Sequence, residues 1–81
     1  MFPVHPGGTL RDELEARALT VRALAQSIGV SASRIADIVG ERRAISPDTA
    51  LRFGRFFGNG ADFWIGLQAQ YEVAKARKAL G

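Results

Sequence analysis

The sequence predicts an all-α fold of five helices built around a helix-turn-helix. Three observations carry this reading. Apolar residues recur at spacings of three and four through most of the chain, and no run alternates as a half-buried strand does. Residues 20–39 hold two short apolar-faced segments, each preceded by a capping residue and parted by one glycine. Proline and glycine punctuate the rest at intervals suited to short helices.

Taken in order, residues 1–8 read as an extended arm, shaped by Pro3 and Pro6 and closed by Gly7-Gly8. The first helix is then expected to open with Thr9 as cap and with Asp12 and Glu13 in its first turn, where carboxylates favour the helix dipole. Leu10, Leu14 and Ala18 would line its inner face. In the second helix Leu24 and Ile28 stand one turn apart, and Val30, Ile35 and Ile38 supply the matching face of the third. Thr20 and Ser31 are placed as their N-caps. Ala25 falls where two short helices cross steeply, and Gly29 where the chain must reverse through a left-handed conformation. Any helical hairpin explains the apolar spacing; the small residue, the glycine and the paired caps together mark a helix-turn-helix that reads DNA.

Gly40 closes the third helix, and Glu41-Arg42-Arg43-Ala44-Ile45 forms a loop. The fourth helix has a clear start in Ser46, Pro47 and Asp48, and takes its apolar content from Leu51, Phe53, Phe56 and Phe57. Gly58-Asn59-Gly60 breaks it, and a last helix covers 61–80. No repeat, low-complexity tract or second domain interrupts residues 1–81, so one domain is expected.

Composition narrows the function. A chain of 81 residues with 47% hydrophobic and 23% charged residues folds, and its net charge of +3 suits an anionic partner. The absence of cysteine excludes a disulfide framework, a zinc finger and a thiol nucleophile, and fits a reducing cytoplasm. The first residues are too short and proline-rich for a signal peptide, and no apolar run approaches the ~20 residues of a membrane span. His5, the one histidine, lies between prolines, with no nucleophile nearby and no spaced metal ligands. No catalytic residue, metal or cofactor is expected, and His5 reads as a residue that caps or packs against the last helix. Trp64 and Tyr71 could form a base-stacking platform, but at helical spacing beside Phe63 and Leu67 they read as core.

The expected partner is duplex DNA with a palindromic operator. The third helix would enter the major groove by its N-terminal end and present Ser31, Ala32, Ser33, Arg34 and Asp37, with Ile35 and Ile38 turned inward. Arg34 could take a guanine edge or a phosphate, Ser33 a base through its hydroxyl, and Ala32 a thymine methyl. Asp37 would be repelled by phosphate unless it accepts from a cytosine or pairs with an arginine such as Arg34. Thr20 and Arg22, at the start of the second helix, are placed to hold the backbone. Arg42 and Arg43 either clamp further phosphates or sit in a solvated loop.

The last helix carries two apolar stripes. Phe63, Trp64, Leu67, Tyr71 and Ala74 fall on one side, which should cover the core. Ile65, Ala69, Val73, Ala76 and Leu80 fall on roughly the opposite side. Alanine tolerates water, but a second stripe on a terminal helix points to a homodimer, whose two-fold axis would match a palindrome.

From His5 to Ala76 the chain resembles the HigA-type, VapI-like antitoxins of the lambda-repressor-like helix-turn-helix class. His5-Pro6-Gly7, the Leu24-Ala25 to Ile35 region and Ile45-Ser46 with Thr49 to Phe53 carry part of the likeness. The most specific part is Phe63-Trp64-Ile65-Gly66-Leu67-Gln68-Ala69-Gln70-Tyr71-Glu72. Gly8 and Val39 stand where relatives often have glutamate and asparagine. The resemblance implies a bacterial, cytoplasmic regulator that binds its own promoter as a dimer and neutralises a RelE-like ribonuclease toxin. A stand-alone dimeric repressor is the alternative. No acidic disordered tail is seen, so neutralisation would use a folded surface, for which Arg11, Glu15 and Arg17 of the first helix are candidates.

Overall fold

Among the described residues, four of the five helices begin where a side chain accepts a backbone N–H. The computed structural model describes residues 3–81. Among them the elements are α1 (Pro6–Ala16), α2 (Val21–Ile28), α3 (Ala32–Val39), α4 (Pro47–Phe57) and α5 (Ala61–Leu80), with no strand. Thr20 Oγ1 accepts from Ala23 N at 3.0 Å, Ser31 Oγ from Arg34 N at 3.1 Å, and Ser46 Oγ from Thr49 N at 3.2 Å. Gly29 ends α2 at φ 73°, the left-handed turn expected between two helices that must cross. The caps predicted for α2, α3 and α4 are those observed.

The start of α1 differs from the expectation. The helix opens at Pro6, not after Thr9, so residues 6–8, expected in the arm, are helical; residues 1–2 of that arm lie outside the described residues. His5 is the cap, its Nδ1 accepting from Gly7 N at 2.9 Å, and Pro6 supplies a helical φ at a position that needs no N–H. Gly7-Gly8 reads locally as a breaker; tertiary packing overrides that preference. The far end differs too. Ala18 is exposed at φ 51°, and Leu19 reaches the core instead, its N–H closing on the Leu14 carbonyl at 2.9 Å.

One cluster of buried side chains draws on every helix: Leu10 and Leu14 from α1, Leu24 and Ala25 from α2, Ile35 and Ile38 from α3, Phe53 and Phe57 from α4, and Trp64 from α5. Ile45 joins it from the loop. Ala25 is 3% exposed at the α2–α3 crossing, as its small size requires. Trp64 meets Phe53 edge-on at 5.1 Å and donates from Nε1 to Asn59 Oδ1 at 2.8 Å, so its one polar atom is satisfied. Each fully buried large side chain of this kind stabilises the fold by ~1.5–3 kcal/mol.

On α5 the two stripes are rotated from the prediction. Phe63, assigned to the inner stripe, is 42% exposed, whereas Ile65, assigned to the outer one, packs against the core. Gln68 takes the inner position one turn past Trp64 and is buried. Its Oε1 accepts from Ile45 N at 2.9 Å and its Nε2 donates to Glu72 at 3.0 Å. A leucine there would cover the core but leave the Ile45 N–H without a partner, which is why a polar residue sits inside.

Candidate nucleic-acid interface

The N-terminal half of α3 faces outward. Ser31, Ala32 and Ser33 are exposed, Arg34 is half-buried, and Ile35 and Ile38 turn into the core. The 3.6-residue period forces this division once both isoleucines are buried. Ser31 spends an acceptor position on its cap and keeps its O–H as a donor.

Ion pairs organise the charges around this face. Asp37 Oδ1 lies 3.2 Å from Arg42 Nη2 and Asp37 Oδ2 lies 3.8 Å from Arg43 Nη2. The partner of Asp37 is therefore the loop, not Arg34. Arg34 Nη1 instead lies 3.8 Å from Asp48 Oδ2 at the start of α4. Asp48 also accepts from Arg52 Nε at 3.0 Å, and Arg52 Nη1 donates to the Ile28 carbonyl at 2.6 Å. Arg52 thereby ties α4 to the last turn of α2, beside the Gly29 reversal. Sequence reasoning missed Arg52; only its i, i+4 spacing from Asp48 was visible.

The loop geometry keeps the two arginines near α3. Gly40 N closes on Ala36 O and Arg42 N on Asp37 O at 2.8 Å, with Glu41 at φ 63° between them. All these pairs are solvent-exposed, where an ion pair contributes ~0–1 kcal/mol. They are cheap to exchange for another anion. At the other end of the motif, Thr20 and Arg22 are exposed, and the first N–H groups of α2 have no intrahelical acceptor.

Other predicted residues fall as follows. Ala69, Val73, Ala76 and Leu80 are exposed on α5, with Val73 at 49% and Leu80 at 89%; Ile65 is separate from them, packed inward. His5 caps α1 and meets Tyr71 edge-on at 4.8 Å, and so fills both roles expected of it. Arg11 donates to the Val39 carbonyl, and Arg17 pairs with Glu13 while lying over the Phe57 ring, so these two serve the fold. Among the described residues no group of His, Asp and Glu could hold a metal ion, and no helix is long and apolar enough to cross a membrane.

Two short helices meeting at a left-handed glycine, the second turned outward by its polar half, define a DNA-binding regulator of the helix-turn-helix class, not an enzyme. The Helix-turn-helix family model matches residues 10–64. The chain belongs to that family, in its HigA-type, VapI-like group. It is 45% identical to virulence-associated protein I of Dichelobacter nodosus, over 96% of this chain and 73% of that protein. A Pseudomonas aeruginosa protein crystallised with its 18-bp operator DNA is 48% identical, covers 100% of this chain and 88% of its own, and superposes with a TM-score of 0.96. The antidote protein of the HigA family from Coxiella burnetii is 36% identical with a TM-score of 0.93, covering 98% and 87%.

Proposed function

We propose that this chain binds a palindromic operator as a homodimer, represses its own operon, and is the antitoxin of a type II pair whose toxin is a RelE-like ribonuclease. The observation that carries the operator reading is the likeness, end to end, to a protein crystallised on its operator, at 48% identity and a TM-score of 0.96. In this reading α3 enters the major groove with Ser31, Ala32, Ser33 and Arg34 at base edges. Thr20, Arg22 and the start of α2 hold one stretch of phosphates, while Arg42 and Arg43 leave Asp37 for another. Ala69, Val73, Ala76 and Leu80 of two copies meet across a two-fold axis that sets the α3 helices about 34 Å apart, one turn of DNA. Such a protein works where the bacterial chromosome is, in the cytoplasm.

The antitoxin half is supported by relatives described as antitoxin HigA of Pseudomonas aeruginosa with its promoter and as a HigA-family antidote protein. With Arg11 and Arg17 committed to the fold, Glu15 is the one of these three candidates left to meet a basic toxin, with exposed Asp12 on the same helix. The test is to express the adjacent reading frame with and without this chain. Growth arrest by the neighbour alone, relieved by this chain and by its Arg34→Ala, Arg42→Ala variant, is the expected result. A harmless neighbour, or toxicity that this chain leaves unchanged, would leave a stand-alone dimeric repressor.

A further inference from the structure

The start of α1 grips the end of α3. Gly7 and Arg11 stand four residues apart, on one face of α1. A methyl group on Gly7 would overlap the Ile38 carbonyl oxygen and lie 3.1 Å from the carbonyl carbon. One turn on, Arg11 Nη2 donates to the Val39 carbonyl at 3.1 Å. These are among the last carbonyls of α3, which a helix end leaves without intrahelical donors, and the guanidinium sits at the negative end of the helix dipole. The Ile38 oxygen also accepts from Glu41 N at 3.0 Å, so the same group anchors the turn into Arg42 and Arg43. His5 fixes the arrangement from behind, capping α1 while its ring packs in a T-shaped contact with Tyr71 of α5.

We infer that Gly7 and Arg11 are positioning residues for base reading. The His5-Pro6-Gly7 start of α1 is a strut that sets the C-terminal end of α3, and with it Asp37 and the arginine turn. The inference rests on the proposed operator binding, in which neither residue touches DNA. With only eight residues, α3 has no length over which to absorb a displacement of one end. Base contacts tolerate errors of only about 0.5 Å, whereas phosphate contacts from long side chains tolerate more. Displacing the strut therefore costs sequence preference before it costs general affinity. Gly8 is the internal control, since a Cβ there meets nothing within 4 Å.

The test compares the full chain with Gly7→Ala, Gly8→Ala and Arg11→Met. Each is titrated with the duplex upstream of its gene and with a scrambled duplex of equal length, and amide spectra are recorded of the free proteins. Gly8→Ala is expected to match the unmodified chain on both duplexes. Gly7→Ala and Arg11→Met are expected to lose about tenfold on the promoter duplex, the size of one spoiled base contact. They should stay within about threefold on the scrambled one and shift the amides of Val39, Gly40 and Glu41. A merely unfolded fraction lowers both affinities alike, so their ratio isolates positioning. An unchanged ratio in both variants, or unmoved amides, overturns the inference. Should Gly7→Ala not fold, Arg11→Met decides it. An unmodified chain that does not distinguish the two duplexes would instead overturn the operator reading, with the amide shifts still reporting on the contact.

Discussion

Asp37 Oδ1 accepts from Arg42 Nη2 at 3.2 Å, joining α3 to the loop that follows it. The other carboxylate oxygen faces Arg43, so one acidic residue occupies two of the cations proposed for phosphate. Binding DNA is then an exchange of one anion for another. Asp37→Asn should tighten binding to an unrelated duplex by about three- to tenfold and steepen the salt dependence by up to about one phosphate equivalent. Thermal stability should change by less than about 1 kcal/mol, because the pairs are exposed. Fluorescence anisotropy at two salt concentrations checks both; weaker binding would mean that Asp37 itself contacts the DNA.

Gln68 holds the Ile45 N–H at 2.9 Å inside the protein. Gln68→Leu removes the acceptor and leaves a buried donor unpaired, at a cost of about 1–3 kcal/mol. In a domain of this size the Tm falls by roughly 4–8 °C for each kcal/mol. Circular dichroism melting reads the shift directly. A Tm equal to or above that of the unmodified protein would show that the hydrogen bond contributes nothing net.

Arg34 and Arg42 should fail differently. Arg34→Ala should cost ~1–3 kcal/mol on the operator and blur base preference if the guanidinium reads a base edge. Arg42→Ala should weaken every duplex alike and lower the salt slope by about one unit. Titrating both variants with matched and scrambled duplexes separates base reading from phosphate clamping.

The proposed dimer face excludes Ile65, whose replacement would damage the core. Val73→Glu with Ala76→Glu places charge only on exposed positions of α5. Two buried carboxylates without partners would split a dimer at this face. Light scattering should give a dimer for the unmodified chain at tens of micromolar and a monomer for the variant, with helical circular dichroism retained. A variant that remains dimeric would place the interface elsewhere.

Much of this fold was legible because local signals agreed with tertiary needs. Thr20, Ser31 and Ser46-Pro47 start their helices by local hydrogen-bond chemistry, and Gly29 ends one by a φ of 73°. The failures come from contacts between residues far apart in sequence. Gly7-Gly8 reads as a break until the carbonyl of Ile38 is seen against it. Periodicity ranks apolar residues alone, so it placed Phe63 inside, placed Ile65 outside and passed over Gln68. In the candidate site, the exposed residues of α3 follow from burying Ile35 and Ile38. The pairing of Asp37 with Arg42 and of Arg34 with Asp48 does not, because it depends on how the loop and α4 fold back.

The most direct test of the account is an equilibrium titration of the unmodified chain with the duplex upstream of its own gene. It should run beside a scrambled duplex, at 50 mM salt and again at 200 mM. Operator binding predicts a preference for the upstream duplex of about 10³-fold or more, saturation at two chains per palindrome, and a steep loss of affinity at the higher salt. Equal affinity for the two duplexes, or no binding at 50 mM salt, would contradict it.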